Sequence, residues 1–175
     1  SEASIANIIK EAEIPRGSFY QYFEDKEDLY HYLLKDLSEK RQSSFIYALQ
    51  KYEGDLFAAI NDNFQEILIE LTSEQENKQF YRNVFTNMDY QMGNNFFYPS
   101  DVGQMDKDFS KIITHINQEL LAIEQEEHLR YMIEILLSIM IKSIVFKYVQ
   151  KASNQEVIEH FSIQLQMIQR GFVKK

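Results

Sequence analysis

Cysteine is absent from this 175-residue chain, which excludes disulfides, thiolate zinc sites and cysteine nucleophiles together. Glycine (5) and proline (2) are scarce, which argues against a turn-rich β-sandwich and for long uninterrupted helices. No apolar run reaches the roughly 18 residues that cross a bilayer. No charged-then-apolar stretch opens the sequence, so a cytoplasmic protein with no membrane partner is expected. Positive charge is short as well. Lys and Arg number 18 against 27 Asp and Glu, a net charge of −9. That balance disfavours non-specific coating of nucleic acid, and any DNA contact must come from a local surface. What remains is 45% hydrophobic and 26% charged, the balance of a globular protein. The length suits one domain or a little more and buries a core without staples. The chain begins Ser1-Glu2-Ala3 without Met, inside a helical pattern, so an incomplete N-terminus is expected.

The apolar positions follow helical spacing throughout. Ile5, Ile8, Ile9 and Ala12 mark one face of a short helix with Ser4 near its start. Glu13-Ile14-Pro15 breaks it, and Pro15 fits the first turn of a second short helix over 16–23. Asp25 is a plausible N-cap, with Asp28 three residues on, for a long helix over 26–51 whose buried side carries Leu29, Leu33, Leu37, Phe45 and Leu49. Gly54 punctuates, and Leu56, Ile60, Phe64, Ile67, Leu68 and Leu71 mark another amphipathic helix. A shorter helix is expected over 74–88 and a loop over 91–100, where Phe96, Phe97 and Tyr98 adjoin Pro99. Helix resumes near Asp101 with Phe109, Ile112, Ile113 and Ile116. From Leu129 the positions Met132, Ile133, Leu136, Leu137, Met140, Ile141 and Ile144 alternate by three and one, near the repeat of packed helices. Ser153 and Asn154 open a final helix bearing Val157, Phe161, Leu165, Ile168 and Phe172. The fold class is all-α.

Two short helices joined by a tight turn and followed by a long helix make a helix-turn-helix candidate. The residue string is more telling than the pattern. It runs from Ser4-Ile5-Ala6-Asn7-Ile8 to Ile14-Pro15-Arg16-Gly17-Ser18-Phe19-Tyr20-Gln21-Tyr22-Phe23, then Glu24-Asp25-Lys26-Glu27-Asp28-Leu29. This string resembles the DNA-binding signature of the tetracycline-repressor family over about the first 35 residues. Gly-Ser-Phe-Tyr-x-Tyr-Phe-x-x-Lys rarely arises from helix packing alone. Physically, Gly17 lets the backbone approach a major groove, and Arg16 has the reach for a guanine edge or a phosphate. Ser18, Tyr20 and Gln21 offer hydroxyl and amide groups at the same end, and Lys26 begins the next helix where a phosphate is favoured. Phe19 and Phe23 anchor the helix to the core, while Tyr22 suits either role. The resemblance aligns Arg16, Gly17, Ser18, Tyr20, Gln21, Tyr22 and Lys26 with positions that commonly touch DNA. Three positions depart from the family pattern. Glu13 stands where the turn usually has Gly, so the backbone must avoid positive φ or bear strain. Ile9 replaces the usual Ala, and Pro15 replaces a capping Ser or Thr. Residues 1–35 hold four basic groups against seven acidic ones, a net of −3.

The resemblance implies a head over 1–35 that lacks its first helix, and a larger helical effector-binding and dimerisation domain over 36–175. Aromatic and Met side chains concentrate in the middle third, and Phe64, Phe85, Phe97, Met105 and Phe109 are the candidate lining of a pocket for a small apolar or aromatic effector. Two adjacent apolar helices near the end predict a homodimer through Leu137, Ile141, Ile144, Phe161, Leu165 and Ile168, suited to a palindromic operator. The implied function is a ligand-responsive transcriptional repressor on double-stranded DNA, with the long helix from Lys26 as the lever between the two regions. The rival reading is a helical small-molecule-binding or protein-interaction module without DNA binding. The pairs His115/Glu119, Glu124/His128 and Glu156/His160 have metal-ligand spacing but read as solvated helix pairs. No Gly-rich phosphate loop, serine elbow or zinc-protease helix appears, so no enzyme, cofactor or metal is expected.

Overall fold

The computed structural model describes residues 4–73 and 102–173. The helix expected over 74–88, the loop over 91–100, Phe85 and Phe97 lie outside the described residues, as do the side chains of Leu37 and Met105. The elements are α1 (Ile5–Glu11), α2 (Arg16–Tyr22), α3 (Lys26–Lys51), α4 (Leu56–Ser73), α5 (Val102–Ile113), a 3₁₀ turn (Gln118–Leu120), α6 (Glu126–Gln150) and α7 (Asn154–Phe172). Among the described residues there is no strand, only an isolated antiparallel bridge between Leu121 and Val173. The chain divides into two compact units, Ser1–Ser43 and Ser44–Lys175, and α3 contributes residues to both.

Local sequence accounts for the helix ends. Ser4 caps α1 by accepting from the Asn7 N–H at 3.2 Å. Asp25 accepts from the Asp28 N–H at 2.8 Å while the Asp28 carboxylate reaches back to the Glu24 N–H at 3.0 Å, so two N–H groups at the start of α3 are satisfied reciprocally. α7 opens on a full capping box, Ser153 with Glu156. Hydrogen bonds from the Ser153 hydroxyl and backbone N–H hold the Glu156 carboxyl below its usual value. Glycine is too scarce to end the helices, and charged residues take its place. Glu13, Glu53 and Lys151 all adopt φ between 53° and 55°, the left-handed region. After α1 the Ile14 N–H donates to Ile9 O and the Glu13 N–H to Lys10 O. After α3 the Gly54 N–H donates to Leu49 O and the Glu53 N–H to Gln50 O. Both are Schellman closures with Glu where Gly is preferred.

In the second unit, α4, α6 and α7 pack against one another. Phe64 of α4 and Phe161 of α7 are fully buried and stack at 3.9 Å between centroids. Around them lie Leu68 and Leu71, Leu129, Met132 and Leu136 of α6, and Val157 of α7, each with no more than 2% of its surface exposed. Leu49, at the end of α3, is fully buried. Leu33 is 40% exposed, contrary to its expected place on a buried side. The first part of α3 belongs to the small unit, where two seven-residue helices cannot cover all of its apolar positions. Polar ties close the far end of α4. The Asn154 amide donates to the Thr72 hydroxyl at 3.1 Å, and the Tyr148 hydroxyl to Leu71 O at 3.4 Å.

Among the described residues, Gly54 is the close approach that glycine must fill. Its φ is +81°, its carbonyl accepts from the Asn117 N–H at 2.9 Å, and a Cβ there would meet that nitrogen at 2.5 Å and His115 O at 2.9 Å. Both obstacles are backbone, so nothing flexible can yield. Gly54→Ala is expected to lower unfolding stability by about 1–3 kcal/mol, measured by urea denaturation; an unchanged midpoint would mean that the 114–117 segment moves aside freely.

Candidate nucleic-acid interface

The head is built on aromatic packing. Phe19, 2% exposed, contacts Phe23 at 5.6 Å between centroids, and Phe23 contacts Tyr32 of α3 at 5.5 Å. These contacts hold α2 by its inner face, the anchoring role expected of Phe19 and Phe23. α2 stops one residue before its expected end. Phe23 is extended at φ −135°, ψ 133°, with its N–H still donating to Phe19 O. Pro15 also stands one residue before the first turn, as N-cap at φ −62°, ψ 145°. It makes no side-chain cap, and its carbonyl accepts from the Ser18 N–H at 2.9 Å.

The outer face of α2 is what remains. Arg16, Gly17, Gln21 and Lys26 are exposed, Tyr20 is 47% exposed and Tyr22 77%, while Ser18 is half-buried. An open cleft of about 390 Å³ joins three helix starts: Ser4 and Ile5 of α1, Arg16 and Tyr20 of α2, and Asp25, Lys26 and Glu27 at α3. Its two cations face two carboxylates. Asp25 is engaged in the α3 cap, and Glu27 lies 3.6 Å from the Lys26 ammonium across exposed surface, where such a pair contributes little. Of the residues expected to touch DNA, the structure brings Arg16, Tyr20 and Lys26 to one cleft. It leaves Gly17, Gln21 and Tyr22 on open surface beside them. A Cβ on Gly17 would meet nothing within 4 Å. The fold has no use for glycine there, although Gly inside a helix costs roughly 0.5–1 kcal/mol relative to Ala.

A family model described as bacterial regulatory proteins, tetR family, matches residues 1–33, and one described as tetracyclin repressor-like, C-terminal domain, matches residues 55–172. The second spans more than half of the chain. The chain belongs to the tetracycline-repressor family. It is therefore a DNA-binding transcriptional regulator, with a helix-turn-helix head and a helical C-terminal domain, and regulators of this family are not enzymes. No curated protein matches the chain. No helix among the described residues is long and apolar enough to cross a membrane.

The other expected sites fall within the second unit. Phe64 is consumed by its stack on Phe161, and Phe109, 9% exposed, lies under the Arg130 guanidinium at 4.2 Å. A separate open groove of about 260 Å³ lies between α4 and α7, lined by Phe57, Asn61, Leu165, Gln166 and their neighbours, and includes none of the expected pocket residues. Sequence reasoning missed it because its polar lining resembles any solvated helix face. Ile144, Phe161 and Leu165, expected to face a partner, are 4%, 0% and 5% exposed within the single chain. The three-and-one alternation along α6 follows the stripe that packs on α4 and α7. Leu137 is exposed, and Ile141 and Ile168 are half-buried. Other apolar side chains reach the surface as well: Ile135 and Val149, which make α6 apolar almost all round, with Tyr131 beside them, and Ile163 and Met167 on α7, which the sequence reading did not single out.

The left-handed turn between α1 and α2 makes a direct test of the head. Glu13→Gly relieves a Cβ held at positive φ and is expected to stabilise the head by roughly 1 kcal/mol, read by hydrogen exchange at α1 and α2 amides. Loss of protection there would show that the Glu13 side chain is needed where it stands.

Proposed function

We propose that this regulator is a ligand-responsive repressor that acts in the cytoplasm as a homodimer on a palindromic operator. The observation that carries the DNA-reading part is Gly17: a glycine on an exposed helix face, with empty space around it, on the second helix of the helix-turn-helix head. A bare backbone there suits close approach to a major groove, with Arg16, Ser18, Tyr20, Gln21, Tyr22 and Lys26 around it as the contacting set. Dimerisation rests on the apolar side chains that α6 and α7 leave exposed, since a two-fold pair of such helices makes a four-helix bundle. A small apolar or aromatic effector would favour a conformation whose two recognition helices no longer match the half-site spacing, with α3 as the lever, so the operator is released.

The test is a fluorescence-anisotropy titration of the full-length protein against the DNA upstream of its own gene, at several salt concentrations, with scrambled DNA as control. Specific binding that weakens with salt is expected. Gly17→Ala is expected to keep or raise helix stability while weakening specific binding about tenfold, or roughly 1.4 kcal/mol. Lys26→Ala should weaken binding to all sequences and reduce the salt slope by about one. Equal affinity of both variants and the parent would remove α2 and the start of α3 from the interface. Ile135→Glu and Ile163→Glu should each yield monomers by light scattering with unchanged circular dichroism; intact dimers would move the interface off these faces.

A further inference from the structure

Arg16 is not a loose surface cation. Its guanidinium carbon lies 5.8 Å from the centre of the Tyr20 ring, within cation–π range. The Tyr20 ring is itself held, because Phe19 meets it edge-on at 5.4 Å and 83°. Phe19 is buried, packs on Phe23, and Phe23 packs on Tyr32 of α3. A continuous ladder of rings therefore runs from Tyr32 of α3 through buried Phe19 to the guanidinium at the start of α2, the second helix of the helix-turn-helix, all within residues 16–32. The N-terminal residues of such a helix are the ones that meet base edges. A guanidinium fork pairs with O6 and N7 of guanine, which is the most frequent specific contact in the major groove.

We infer that Arg16 reads a guanine in each half-site and that Tyr20 is its positioning residue, acting through the face of its ring and not through its hydroxyl. The inference rests on the DNA-binding reading above and deepens it by assigning one base. Stacking on a fixed ring limits the rotamers of a long side chain before DNA arrives, so less freedom is lost on binding. The ring, with the hydroxyl removed, is sufficient for that task.

The experiment is an in vitro selection of preferred duplexes by the full-length protein, followed by affinity measurements on the selected site and on versions with each guanine replaced. Arg16→Lys, Tyr20→Phe and Tyr20→Leu are compared with the parent. One guanine per half-site is expected whose replacement weakens parental binding roughly tenfold or more. Arg16→Lys should abolish that preference while retaining charge and salt dependence. Tyr20→Phe should keep the guanine preference even where loss of the hydroxyl lowers affinity for all sequences alike. Tyr20→Leu should reduce that preference several-fold without altering preferences at other positions, a pattern that loss of fold would not produce. A preference untouched by Arg16→Lys, or lost equally in Tyr20→Phe and Tyr20→Leu, would overturn the inference while leaving the DNA-binding function intact. Failure of the parent to select any sequence would overturn the operator-binding reading and this inference with it.

Discussion

The second unit depends on one contact, the stack of Phe64 on Phe161 with ring centres 3.9 Å apart. It joins α4 to α7, and α6 lays its fully buried Leu129, Met132 and Leu136 against the same pair of helices. Burial of each such side chain contributes roughly 1.5–3 kcal/mol, so the directions of all three helices follow from keeping these rings covered. The polar contacts at the end of α4 then close the assembly. Lys147 donates to Ala152 O and to the Asn154 side chain, which in turn donates to Thr72. Each of these partly buried groups is satisfied inside the unit, so the turn between α6 and α7 is tied to α4 with no orphaned polar atom in that chain of contacts.

The head solves a different problem. Two seven-residue helices are too short to be stable alone and have little core to share. Ring contacts from Phe19 through Phe23 to Tyr32 replace the large core that is missing. With the inner face of α2 so occupied, its polar and cationic residues can only point outward. The same packing that stabilises the head thus decides which side chains reach the surface, the face that the proposal above turns towards DNA. Acidic groups remain in the cleft, but the caps at α3 engage Asp25 and Asp28, so part of the negative charge that sequence counting assigns to this region is committed to backbone N–H groups.

Scarcity of glycine leaves a visible mark on the backbone. Helix ends that would ordinarily take Gly are formed by Glu13, Glu53 and Lys151 in the left-handed region. Gly54 stands where a side chain would interfere within the fold, and by the proposal above Gly17 stands where one would interfere against DNA.

Local chemistry was legible in the chain alone. The caps at Ser4, Asp25 and Ser153, the break at Glu13-Ile14-Pro15 and the string around Arg16 to Lys26 each involve residues within a few positions of one another, so spacing is enough to find them. Helical class and the regulator family followed from the same short-range signals. Which apolar residues face inward was not legible. α6 is apolar almost all round and α7 carries an apolar stripe, and periodicity cannot say whether such faces meet a partner or neighbours in the same chain; packing buries Ile144, Phe161 and Leu165 within the chain. The approach of Gly54 to Asn117 joins segments 63 positions apart and leaves no periodic trace. The sequence by itself determined where helices start and stop and what the head presents. Tertiary packing alone decided which side of each helix is inside, because that depends on neighbours that are distant in the chain.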